Sequence, residues 1–110
     1  MSTIQISSDV MRGCTDTIIL YLLKESPSYA YALSKQIEEV SDGEYSLKET
    51  TLYSALTRLE RSDYVSSYPQ IAESGKKRTY YKITDAGLDY YRDKCKEWKF
   101  TRELVEKFVE

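Results

Sequence analysis

The sequence predicts an α+β protein, mostly α: a winged helix-turn-helix followed by one long C-terminal helix. Three observations lead there. Leu52, Ala55, Leu56 and Leu59 fall at i, i+3, i+4 and i+7, which makes one apolar stripe of a short helix. Two strand-like runs come next, Tyr64–Tyr68 and Thr79–Ile83, rich in Tyr, Val and Ile. The tip between them carries Gly75, Lys76, Lys77 and Arg78. Beyond the second run, apolar residues recur at helical spacing as far as Phe108.

The elements can be justified in chain order. Asp9 to Glu25 fits a helix that Ser8 or Asp9 would cap. Ile18, Ile19, Leu22 and Leu23 form its core face. A second face, Asp9, Val10, Gly13, Asp16, Thr17 and Leu20, mixes acidic, small and apolar side chains. Such a face suits a cavity wall or a contact with another helix. Ser26-Pro27 ends the helix. A second helix is expected from Tyr29 to Val40, with Ser28 as cap and Ala32, Leu33, Gln36 and Ile37 repeating inward. Ser41-Asp42-Gly43 stops it, with Gly43 suited to the left-handed position. Tyr45–Leu47 leaves room for one strand pairing at most.

The central helix carries Glu49, Thr50, Tyr53, Ser54, Thr57, Arg58 and Arg61 opposite its apolar stripe. Hydroxyls and an aromatic on that face can reach phosphates or base edges. A plain solvated face has the same spacing, so the helix gains meaning from the hairpin after it. In that hairpin, Gly75 supplies the positive φ of a turn. The adjacent cations read as a wing on a DNA backbone, where they displace counterions, or as a solubilising tip. Thr84-Asp85 caps the last helix; Leu88, Tyr91, Cys95 and Trp98 start its stripe, and Leu104, Val105 and Phe108 continue it. A helix apolar to its far end calls for a partner, and a twofold homodimer is the commonest solution. The division expected is residues 1–83 for the winged helix-turn-helix and 84–110 for the dimerisation helix.

Length and composition bound the function. One hundred and ten residues make one small domain with a limited core. The net charge is −2, which argues against a nonspecific nucleic-acid coat. The distribution is more telling. Residues 1–47 carry three Lys/Arg against seven Asp/Glu, 48–82 carry seven against four, and 83–110 carry six against seven. Only the segment with the central helix and hairpin is basic, and local charge steers a duplex. Cys14 and Cys95 stand 81 residues apart and there is no histidine, so zinc patterns and the commonest general base are both missing. No Gly-rich phosphate loop accompanies them, so an enzyme and a bound cofactor are not expected. The longest apolar run, Ile18–Leu23, is too short for a membrane span, which points to a reducing cytoplasm with free thiols.

Three stretches carry a resemblance. Tyr29-Ala30-Tyr31-Ala32-Leu33, Thr51-Leu52-Tyr53-Ser54-Ala55-Leu56-Thr57-Arg58-Leu59-Glu60 and Lys77-Arg78-Thr79-Tyr80-Tyr81-Lys82-Ile83-Thr84-Asp85-Ala86-Gly87 resemble the PadR family of bacterial transcriptional regulators. The likeness runs from about Asp9 to Phe108 and is greatest to the short-tailed branch, among lactic-acid-bacterial repressors of multidrug exporters. It implies a homodimer on a palindromic operator in double-stranded DNA, often at its own promoter and that of a transporter gene. Thr50, Thr51, Tyr53 and Ser54 would enter the major groove. The Tyr29 and Lys35 region and Lys76, Lys77 and Arg78 of the wing would touch phosphates, with Lys48 and Arg58 also among the DNA-binding residues.

In drug-responsive members a flat-walled pore lies between two tryptophans at the dimer centre. Trp98, the only Trp, falls at that place. Val10, Gly13, Asp16, Thr17 and Leu20 on the first helix would face it, with Cys95, Thr101 and Arg102 on the last. The resemblance thus implies a planar aromatic small molecule as effector. An isolated Trp in a helix stripe also serves as ordinary packing. Arg102 is unsuited to a cationic ligand, whereas Asp9 and Asp16 suit one. The sequence departs from the family at Lys48, which cannot accept a cap bond, and at Asp63, which replaces Gly and tolerates a left-handed backbone. The function expected is a dimeric, ligand-responsive repressor. The alternative is a winged-helix module that binds proteins, with neither DNA nor ligand.

Overall fold

The computed structural model describes Ser7, Val10, Met11 and residues 13–110. Its elements are α1 (Thr15–Glu25), α2 (Ala30–Val40), α3 (Glu49–Arg61), β1 (Val65–Ile71), β2 (Lys77–Ile83) and α4 (Asp85–Glu106). The order and types are those of a winged helix-turn-helix with a long last helix.

The first helix departs from expectation. Gly13 and Cys14 form a turn, so the stretch from Asp9 to Glu25 is not one helix. Glycine favours such a break because its backbone loses most freedom in a helix. The Cys14 N–H bonds the Met11 carbonyl at 2.9 Å, and the Thr15 hydroxyl bonds the same carbonyl at 3.1 Å. Upstream, the Ser7 hydroxyl accepts from the Val10 N–H at 3.3 Å. Ser8 and Asp9, expected as caps, lie outside the described residues. In α1 proper, Ile19, Leu20, Leu22 and Leu23 enter the core.

Ser28, expected to cap α2, has another role. Its N–H and carbonyl pair with Tyr81 at 3.1 and 2.8 Å, which adds a one-residue bridge to the hairpin. Tyr29 is the extended residue before α2, and no side chain caps that helix among the described residues. Ala30, Leu33 and Ile37 are its buried positions. At its end Asp42 and Gly43 both take positive φ, 52° and 79°. Tyr45–Leu47 forms no strand.

In α3 the stripe Leu52, Ala55, Leu56 and Leu59 is buried, as its spacing requires. The helix begins at Glu49 directly after Lys48, without a side-chain cap among the described residues. The hairpin is longer than its β-rich runs suggested. β1 and β2 pair antiparallel from Val65↔Ile83 out to Ile71↔Lys77. Pro69 sits within β1 opposite Thr79, as a two-stranded sheet with solvent edges permits. The turn is Ala72–Lys76, closed by Ala72 N–H to Lys76 O at 2.8 Å, with Gly75 at φ 86°.

One joint sets the direction of α4. Asp63 turns the chain out of α3 with φ 63°. The Thr84 hydroxyl donates to the Asp63 carbonyl at 2.6 Å and accepts from the Gly87 N–H at 3.0 Å. The Thr84 N–H bonds the Tyr64 carbonyl at 3.1 Å. Gly87 is packed so tightly there that a Cβ would lie 2.0 Å from the Tyr64 carbonyl oxygen. Tyr64 stacks on Tyr90, with centroids 4.1 Å apart and planes 15° from parallel. Tyr90 and Tyr91 pack against the same core as the helices, so α4's first turns share that core across the 83/84 division.

Candidate nucleic-acid interface

The buried stripe of α3 leaves the other face outward. Glu49, Thr50, Thr51, Tyr53, Ser54, Thr57, Arg58 and Arg61 are all exposed, as is Lys48 before them. The Ser54 hydroxyl donates to the Thr50 carbonyl at 3.1 Å, so its free lone pairs make it an acceptor toward solvent. Arg58 does not swing free. Its Nη2 bonds Asp16 Oδ1 of α1. Ser54, Thr57, Arg58 and Arg61 line a polar groove of about 450 Å³ on this side of α3.

The three adjacent cations of the wing are not equivalent, which corrects the expectation of a single basic tip. β2 reaches back to Lys77, so only Lys76 lies in the turn. Successive strand residues point to opposite faces, which separates Lys77 from Arg78. Lys77 is exposed, whereas Arg78 is half-buried with its guanidinium 5.4 Å from the Tyr29 ring centroid. Its Nε is buried with no hydrogen-bond partner among the described residues. Tyr29 also meets Tyr80 at 5.1 Å, Tyr80 meets Tyr68 at 6.0 Å, and Lys82 lies 6.0 Å over Tyr68. This layer of rings and cations ties the wing to the start of α2. Tyr29 is thus a seat for Arg78 and Tyr80. Lys35 is exposed on α2 and lies 5.5 Å over the Tyr31 ring.

The residues expected around a ligand separate into different surroundings. Leu20 is fully buried in the core and does not face a pore. The 3.6-residue spacing assigned it to the mixed face, but the core encloses more of α1 than one stripe. Val10 and Gly13 are exposed, and Asp16 faces Arg58. Trp98 is half-exposed, with Arg102 5.1 Å over its ring, so a cation already covers one face of the indole. Thr101 is exposed. Cys95 lies beside Tyr91. Burial, helped by a hydrogen bond with Cys95 and by Tyr21 and Glu25, pushes the Tyr91 phenol up to about 12.

Sequence spacing missed an apolar cleft of about 340 Å³ between α1, α2 and α4. Thr17, Ile18, Tyr21, Val40, Tyr45 and Tyr91 are among its walls. It also missed the Asp16–Arg58 pair, whose members are 42 positions apart. No local pattern signals either feature, because both arise where helices cross.

An exposed hydroxyl-bearing helix followed by a basic β-wing defines a winged-helix DNA-binding protein. A family model described as transcriptional regulator PadR-like matches residues 19–93. The chain belongs to the PadR-like family of transcriptional regulators. A transcriptional regulator from Clostridium thermocellum is 52% identical; the match covers 94% of this chain and 100% of that one, with a TM-score of 0.87. A PadR family regulator from Clostridium difficile is 34% identical, covering 86% and 97%, with a TM-score of 0.74. An uncharacterised protein of Lysinibacillus sphaericus is 36% identical over 105 residues, 96% of each chain. The family is one of transcriptional regulators, not of enzymes. Among the described residues no helix is long and apolar enough to cross a membrane.

Proposed function

We propose that this protein is a homodimeric repressor that binds a palindromic operator and answers to a planar aromatic ligand. The observation that carries the reading is the pairing of two exposed surfaces on one small body: the polar face of α3, and Lys76 and Lys77 on the wing. Thr50, Thr51, Tyr53 and Ser54 would meet base edges near the start of α3, where recognition helices of this type make their contacts. Lys48, at the electropositive N-terminus of α3, and Lys35, Lys76 and Lys77 would meet phosphates. Arg78 and Tyr29 would brace the wing.

Dimerisation rests on α4. Trp98, Phe100, Leu104, Val105, Phe108 and Val109 are exposed large apolar side chains. An apolar surface of that extent on a soluble regulator marks an interface. A twofold partner over α4 would present two α3 helices to two half-sites, and a ligand between them acts by preferring one spacing. Trp98, with Thr17, Cys95, Thr101 and Arg102, is the surface assigned to that ligand. The working compartment is the cytoplasm, where operator DNA lies.

Fluorescence anisotropy with a duplex from the gene's own promoter tests the DNA reading. Lys76→Ala with Lys77→Ala should weaken binding and lower the salt slope by about 0.9 for each phosphate no longer neutralised. An unchanged affinity and slope, with the oligomer intact, would remove the wing assignment. Saturable quenching of Trp98 by flat aromatic compounds, with an affinity that changes on adding duplex, tests the ligand.

A further inference from the structure

Arg58 stands on the third turn of α3, beyond the residues suited to base edges. On a helix that enters the groove by its N-terminal end, a side chain there would lie toward the DNA backbone. A guanidinium on a long, exposed stem samples many rotamers unless something holds it. Asp16 holds this one, through Nη2. The exposures set the order of the pair: the Asp16 side chain is 19% exposed and the Arg58 side chain 53%. The carboxylate is the inner member and the cation the outer one. An arginine has five N–H donors in a rigid fork, and one bond to Asp16 leaves others free toward solvent.

The Asp16 side chain is mostly buried. It lies in the first turn of α1, where the helix dipole favours a carboxylate, next to buried Thr15. Two further polar groups lie around it on α4. Lys94 is engaged with Glu97 at 3.4 Å and lies 5.4 Å from the Tyr90 ring. Tyr90 is stacked on Tyr64. Arg58 is therefore the direct ionic partner of Asp16 among the described residues. A pair this exposed contributes little to stability, so its consequence is geometric.

We propose that Asp16 is a positioning residue for DNA binding: it fixes the Arg58 guanidinium so that its free N–H groups meet a backbone phosphate. Asp16 then belongs to the DNA-binding machinery rather than to a ligand surface. The inference rests on α3 being the helix that meets DNA.

The test measures affinity and salt slope by anisotropy, on a duplex selected by the wild-type protein from a randomised pool. Arg58→Ala should weaken binding roughly ten-fold and lower the slope by about 0.9, as one fewer neutralised phosphate requires. Asp16→Asn should weaken it several-fold. In the Arg58→Ala background, Asp16→Asn should change nothing further. Arg58→Lys should keep the slope and lose the dependence on Asp16, because an ammonium makes a point contact that needs no orientation.

Tighter binding by Asp16→Asn would make Asp16 a brake and overturn the proposal. So would additive losses, or no change while the Lys76→Ala, Lys77→Ala protein fails to bind. If Arg58→Ala itself binds with unchanged affinity and slope, the assignment of this face of α3 to DNA falls, and the proposal with it.

Discussion

Two helices carry the same kind of apolar stripe and meet opposite fates. In α3 the residues Leu52, Ala55, Leu56 and Leu59 are all buried. In the second half of α4, Trp98 is 49% exposed and Phe108, just past the helix end, is 82% exposed. Both stripes arise from spacing. The difference is what lies across from them. α3 is boxed in by α1, α2 and β1. The first turns of α4 lie on α1, and the rest runs past the body of the domain. A periodic stripe therefore specifies a helix and its sticky side, while the surroundings decide whether that side is core or interface.

The largest effect is expected at the joint that aims α4. Gly87→Ala should cost about 3 kcal/mol or more, because its Cβ would meet a backbone oxygen that cannot swing away. Urea titration would measure it, and a loss under about 1 kcal/mol would mean the joint relaxes. Leu56→Ala, in the buried stripe, should cost about 3 kcal/mol with an unchanged m value.

A pH scan probes where α4 is still part of the core. Burial raises the phenols of Tyr81, Tyr90 and Tyr91, the last to about 12. Above pH 10 the unfolded chain loses these protons before the folded one, so stability is held below pH 10 and falls from there to about pH 12. The thermal midpoint should drop over that window, and Tyr91→Phe should flatten the drop.

Thr84→Ala should cost about 1 kcal/mol, the worth of one N-cap. Leu104→Ala should change the stability of dilute protein by less than about 0.5 kcal/mol, as an exposed site does. Its effect should grow with protein concentration, because a dimer stabilises by mass action. A Leu104→Ala loss as large as that of Leu56→Ala at every concentration would erase the contrast between the helices.

Local patterns carried much of this molecule. The period of 3.6 gave the buried face of α3 residue by residue, and Thr84 and Gly43 were legible as a cap and a stop. Asp63 was legible as a left-handed residue through the resemblance, because it stands where the family has Gly and Asp tolerates that backbone. These features depend on neighbours within a turn or two. Features that depend on the far chain were not legible. Ser28 pairs with Tyr81 instead of capping α2, and Leu20 joins the core instead of the mixed face. Arg78 leaves the basic tip to lie on Tyr29. Asp16 and Arg58 reach each other only because α1 crosses α3. The central and last helices, the wing and the family follow from spacing and short motifs. Which charges are held and which are free follows only from how elements far apart in the chain come to lie side by side.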